Sequence, residues 1–218
     1  MIETFKTIYK PAAAEITEKK SRFIGHAFPV SNEDEALALL TGIRKEHAKA
    51  GHNCFAWQIG EAGRFTRQSD DGEPSGTAGM PILDMLRKEG IQNALVVVTR
   101  YFGGTLLGTG GLVRAYGRAA KEAVAASIII EKILHQKFSI NCSYNLSGKL
   151  QYEILQGNHI ILDTIYTNVV EFVVLAETPY SNQFVKMIAD SSAGQAKTKQ
   201  LEQIYCANID NKFVLFDK

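Results

Sequence analysis

Two glycine-laden stretches about thirty residues apart constrain this chain more than anything else in it: SDDGEPSGTAGMP, from Ser69 to Pro81, and RYFGGTLLGTGGLVRAY, from Arg100 to Tyr116. Glycine weakens helices and strands, so such density marks loops where backbone must approach something closely. The second stretch follows ALVVVTR, which reads as a buried strand, and runs into an alanine-rich helical pattern ending near Ala126. A strand, a glycine loop and a helix start together make a potential anion site.

The standard phosphate loops do not fit. A Walker loop needs a lysine after its last glycine, and Thr109 stands there after Gly103 and Gly108. A dinucleotide fingerprint needs a third glycine where Val113 follows Gly108 and Gly110. What remains is a run of backbone amides, Gly108 to Gly111, with Gly104 upstream, flanked by Arg100 before the loop and Arg114 in the first helical turn. Arg118 lies one turn beyond Arg114 on the same face, with Lys121 adjoining, and Arg22 in KKSR adds a further cation. That set suits a phosphate or carboxylate. The competing reading, that the glycines permit tight packing and the arginines are simply solvated, stays open, as does the choice between core edge and stacking platform for Tyr101 and Phe102.

Asp70, Asp71 and Glu73 put three carboxylates into one turn marked by Gly72 and Pro74. They could hold Mg²⁺ or serve the turn itself, and the calcium-loop spacing is absent. Ser75 or Thr77 is a candidate cap for a short helix from Pro81 to Glu89, stopped by Gly90. His47, His52 and Cys54 lack a fourth metal ligand, and Ser69 and Ser75 lack a nucleophile elbow. No catalytic residue, metal or cofactor is assigned.

The rest of the chain reads as an α+β protein of two units. Strands are expected at Ala14 to Glu18 and Ser21 to Val30, a helix from a Ser31/Asp34 capping box, and a hairpin over CFAWQIG and RFTRQ. From Lys137 the order is strand, helix, strand, strand, helix, strand, which is the ferredoxin-like plan. The boundary falls at residues 132/133, giving units 1–132 and 133–218, without a flexible linker, so the units are expected to pack. With 24 Lys+Arg against 23 Asp+Glu, a general polyanion binder is disfavoured, and any nucleic-acid contact must come from a local patch rather than a bulk field. Three cysteines without CxxC spacing point to a reducing cytoplasm, and no apolar run is long enough to span a membrane. Oligomeric state is not legible.

The two glycine motifs, with KSRFIGH before them and HNCFAW between, resemble the signature of the IMPACT/YigZ family over Ala14 to Ala126. The resemblance implies an N-terminal α/β sandwich like the second domain of a small-subunit ribosomal protein, left-handed crossover included. The C-terminal half is similar to the last domain of elongation factor G. Eukaryotic members regulate translation initiation through the activator of a stress kinase; this chain starts almost at once with the core motifs, so that protein partnership is not carried over. The expectation is a non-enzymatic factor that binds RNA or the ribosome through Arg100, Arg114, Arg118 and the glycine amides, with a protein partner in translation control as a further possibility. The alternative is a Mg-dependent nucleotide-binding or phosphoryl-transfer enzyme, since the same superfamily houses small-molecule kinases.

Overall fold

The computed structural model describes residues 3–216 and divides into two units, Met1–Glu131 and Lys132–Lys218. Both are built on antiparallel sheets, and with five helices the fold is α+β.

In the N-terminal unit β1 (Thr4–Lys10) precedes a five-stranded sheet of β2 (Ala12–Glu18), β3 (Ser21–Pro29), β4 (His52–Ile59), β5 (Phe65–Ser69) and β6 (Ala94–Tyr101), in the order β2-β3-β6-β4-β5. Helix α1 (Glu33–Glu46) joins β3 to β4, α2 (Gly79–Glu89) joins β5 to β6, and α3 (Thr109–Ala126) follows β6. Strand alternation sorts the core onto two faces. Cys54 and Ala56 lie with α2 and α3 residues such as Ile82, Leu86, Tyr116 and Ala119, while Phe55, Trp57 and Ile59 lie with Ala36, Leu40 and Ile43 of α1.

The hand of the connections follows from this arrangement. Strands β3 and β4 are both antiparallel to β6, and so parallel to each other; β5 and β6 are parallel by the same reasoning. The β3-α1-β4 crossover therefore passes over β6, and β5-α2-β6 passes over β4. The second runs in the opposite strand direction and crosses the sheet in the opposite sense, two reversals that cancel, but its helix covers the other face. The two crossovers thus have opposite hands, and one is left-handed, as the resemblance implied, against the roughly 98% right-handed rule for such connections.

Helix α1 starts one residue later than the sequence suggests. Asn32, not Ser31, is the cap: its side chain accepts from the Glu35 amide at 2.9 Å, and Glu35 accepts in turn from the Ser31 amide at 2.7 Å, a capping box displaced by one position. Helix α3 sits close on β3 because Gly25 has no side chain; a Cβ there would lie 2.5 Å from the Ala119 carbonyl oxygen.

The chain enters the C-terminal unit along β7 (Ile128–Cys142), and the unit continues with α4 (Tyr144–Gln156), β8 (Ile160–Tyr166), β9 (Val170–Glu177), α5 (Ser181–Ser191), β10 (Lys197–Ile209) and β11 (Lys212–Phe216). The strand order β11-β10-β7-β9-β8 is the ferredoxin-like arrangement with one added edge strand. Phe138, Ile140, Phe172 and Val174 form the sheet side of its core against Leu150, Ile154, Phe184 and Ile188 of the two helices. A register shift between Gln200 and Gln203 leaves carbonyls without ladder partners, and the buried Gln136 amide donates to the Leu201 carbonyl at 2.6 Å. Among the described residues no helix is long and apolar enough to cross a membrane.

Candidate functional site

The acidic loop is assembled by the strand before it. Asp71 (φ 44°) and Gly72 (φ 88°) turn the chain back so that the Glu73 amide bonds the Asp70 carbonyl at 2.9 Å. Three consecutive residues of β4 pin this turn. The His52 imidazole Nδ1 donates to the Asp71 carbonyl at 2.8 Å, the Asn53 amide donates to the Asp71 carboxylate at 2.7 Å, and the Cys54 thiol donates to the Asp70 carbonyl at 2.9 Å. Arg44 of α1 closes on the other Asp71 oxygen at 2.8 Å.

Asp70 caps α2 from nine residues upstream. Its carboxylate accepts from the amides of Gly76, Ala78 and Gly79 at 2.8, 2.9 and 2.9 Å. Burial raises its pKa, but the three amide donors outweigh that and leave the carboxyl below its ordinary value. The expected caps are not used: the Thr77 hydroxyl instead donates to the Pro74 carbonyl, and the N-cap position is Ala78.

Glu73 joins the two glycine motifs. Its Oε1 accepts from Arg100 of β6 at 2.6 Å and from the Tyr116 hydroxyl of α3 at 2.8 Å. The Glu73 and Arg100 side chains are only 4% and 7% exposed, and the guanidinium lies between the Phe23 and Phe102 rings at 5.4 and 5.5 Å. Arg100 is thus turned inward and neutralised rather than offered to solvent, a correction to its place in the surface set; strand alternation after the apolar ALVVVT run directs it under α3. Phe102 is exposed and covers this pair, whereas Tyr101 bonds His47 on the α1 side at 3.0 Å. Cys54 belongs to the same buried cluster, and burial pushes its thiol up to about 12.

The glycine loop divides by role. Gly103 packs against the Lys20 backbone, where a Cβ would collide with the carbonyl carbon, and its amide bonds the Ser21 hydroxyl at 3.1 Å. Gly104 (φ 82°) and Gly108 (φ 75°) adopt left-handed backbone. Gly108 is the N-cap of α3, and no side chain caps that helix. The Arg114 guanidinium folds back over the first turn, 3.7 Å from where a Gly110 side chain would start, and Gly111 lies against Leu107. Beside this helix start is a hollow of about 230 Å³ lined by Glu18, Lys19, Leu107, Gly111, Arg114, Ala115 and Arg118.

Lys19, Lys20, Arg114 and Arg118 are exposed, and among the described residues none has an ion-pair or side-chain hydrogen-bond partner. Arg22 does: it holds Glu15 through two 2.8 Å contacts, and its side chain stacks over Tyr101, on the sheet face opposite α3. Lys121 lies 4.0 Å from Glu89. The structure therefore brings Gly108, Gly110, Gly111, Arg114 and Arg118 together, sets Arg22 and Arg100 apart from them, and adds Lys19, the first residue of the KKSR run. The missing signal was the turn: Lys19 and Lys20 are the two loop residues of the β2–β3 hairpin, so its tip reaches the helix start.

These features define a two-unit α+β protein in which one glycine motif is a scaffold and the other opens onto a cationic hollow. The chain belongs to the IMPACT family. The Impact N-terminal domain matches residues 19–124, and a domain of unknown function, DUF1949, matches residues 140–195. The chain is 37% identical to IMPACT family member YvyE of Bacillus subtilis, over 94% of each chain, and 34% identical to IMPACT family member YigZ of Escherichia coli, over 85% of this chain and 92% of that one. The Protein IMPACT homolog of Saccharomyces cerevisiae is 34% identical over 44% of this chain and 39% of its own. A solved structure described as the crystal structure of an hypothetical protein is 32% identical, with a TM-score of 0.59, and covers 93% of this chain and 99% of its own.

Proposed function

We propose that this protein is a non-enzymatic RNA-binding factor that acts on the ribosome in the regulation of translation, holding backbone phosphates at the start of α3. One observation carries the reading: Lys19, Arg114 and Arg118 converge on a hollow beside an uncapped helix N-terminus, and none of the three has an anionic partner among the described residues. Unpaired cations around one hollow, beside a helix start whose amides have no side-chain cap, favour phosphate oxygens. With a net charge of +1, this local patch rather than a bulk field would do the binding. The three cysteines are buried and unpaired, which fits the reducing cytoplasm where ribosomes work.

The phosphoryl-transfer alternative asks the acidic loop for metal ligands. Asp70, Asp71 and Glu73 already accept from three backbone amides, from Asn53 and Arg44, and from Arg100 and Tyr116 respectively. Removing these donors to admit a metal would dismantle the loop, so the carboxylates act as architecture.

Co-sedimentation with bacterial ribosomes across a salt series tests the proposal. The native protein is expected to pellet at low salt, to release as salt rises, and to lose roughly tenfold or more in affinity as Arg114→Ala/Arg118→Ala. Ribosome indifference at low salt would overturn it.

A further inference from the structure

The β2–β3 connection is built from an unexpected pair of residues. Glu18 pairs with Ser21, leaving Lys19 and Lys20 as a two-residue loop, and both have left-handed backbone, with φ of 44° and 67°. A turn with positive φ at both central positions favours Asn-Gly, because a Cβ crowds the carbonyl oxygen there, glycine has none, and the short polar side chain of Asn offsets the cost with local hydrogen bonds. Two lysines are a strained choice at that place, and like charges on adjacent residues add repulsion.

Among the described residues, the contacts of this turn run through its backbone and not through the two lysine side chains. Both lysines are exposed, and neither has an ion-pair or side-chain hydrogen-bond partner among the described residues. The surroundings instead fix where the turn points. Gly103 sits against the Lys20 carbonyl with no room for a side chain, and its amide bonds the Ser21 hydroxyl, so the hairpin tip is anchored to the start of the glycine loop. That anchor places Lys19 in the hollow with Arg114 and Arg118.

Resting on the phosphate-binding reading above, we propose that the Lys19–Lys20 turn is a strained presenting device, in which an unfavourable turn sequence sets both ammonium groups against successive backbone phosphates of RNA next to the α3 N-terminus. Stability is traded for binding at one two-residue loop.

The experiment uses the full chain and a fluorescein-labelled single-stranded RNA of about 20 nucleotides, with anisotropy read across a salt series and thermal unfolding read in parallel. Lys19→Asn/Lys20→Gly installs the preferred turn and removes both charges. It is expected to raise the melting temperature of the N-terminal unit by about 3 °C, to weaken RNA binding roughly tenfold, and to flatten the slope of log affinity against log salt by about 1.4. Lys19→Gln/Lys20→Gln removes the charges but keeps the strained residues; it is expected to lose the same affinity without gaining stability. Arg114→Ala/Arg118→Ala tests the underlying site separately. If that variant loses binding while both lysine variants bind like the native chain, the presenting role falls and the phosphate site stands. If Lys19→Asn/Lys20→Gly weakens binding without raising stability, the turn is not strained and the proposal is overturned in that half. If the native chain does not bind the RNA at low salt, the phosphate reading itself is lost.

Discussion

Glu73 shows how a carboxylate that looks catalytic in sequence can be structural. Its oxygen carries Arg100 and Tyr116, and the pair lies almost entirely out of water. A buried charge without its partner is far more destabilising than the loss of the pair as a whole. Glu73→Leu is therefore expected to cost about 3–5 kcal/mol in urea unfolding, whereas Glu73→Leu/Arg100→Met recovers a substantial part of that loss; a double variant no more stable than the single one would refute the ion-pair account. The sequence showed these residues clearly and misassigned one of them. Arg100 stands beside Tyr101 and Phe102 at a strand end, and only the parity of the strand decides that it faces α3 while Tyr101 faces α1. That parity depends on the sheet register, which a single chain of residues does not display. Arg114 and Arg118 were legible because helical spacing alone puts them on one face.

Among the elements, α2 depends on a residue outside itself. Asp70 accepts three amides at the helix start, so the helix is held by the loop before it rather than by a neighbouring Ser or Thr. Asp70→Asn is expected to cost about 1 kcal/mol at neutral pH. The sign with pH follows from the direction of its shift. A carboxyl held below its ordinary value stabilises the fold fully above the unfolded pKa near 4, and that stability is lost as pH falls through the depressed folded value. The gap between native and Asp70→Asn stability should therefore narrow as pH falls below about 4, as read by urea unfolding at a series of pH values; a gap that stays constant would remove Asp70 from that role. Helix α1, the hairpin and α2 were legible because periodicity and turn residues are local signals. The Asp70 cap was not, since the chain offers Thr77 and Ser75 closer by, and the Thr77 hydroxyl is satisfied by the Pro74 carbonyl instead. Strand β1 escaped notice for a similar reason: TFKTIYK alternates only weakly, with just Thr7 and Ile8 buried. In the C-terminal unit the order of strands and helices was plain, while the bulge closed by Gln136 was not, because it joins residues 65 positions apart.

For the whole molecule, local patterns were enough to mark two α+β units, and the resemblance supplied the left-handed connection that topology rules disfavour. The opposed crossovers of the N-terminal sheet also bear on how the chain comes together in time. Strand β6 fills the place between β3 and β4, yet it follows both in the chain, along with α1, β5 and α2. Until residues 94–101 arrive, β3 and β4 each keep an unpaired edge on the side where β6 belongs. A fragment ending at Asn93 should accordingly show no cooperative thermal transition by circular dichroism, and a native-like melt from it would contradict this order of assembly. Closing the sheet requires contacts of long sequence separation, which places this unit among slow folders rather than fast ones. During synthesis at about 5–20 residues per second, the half-built sheet would stand open for several seconds before its central strand could enter, an interval in which exposed strand edges invite pairing with other chains.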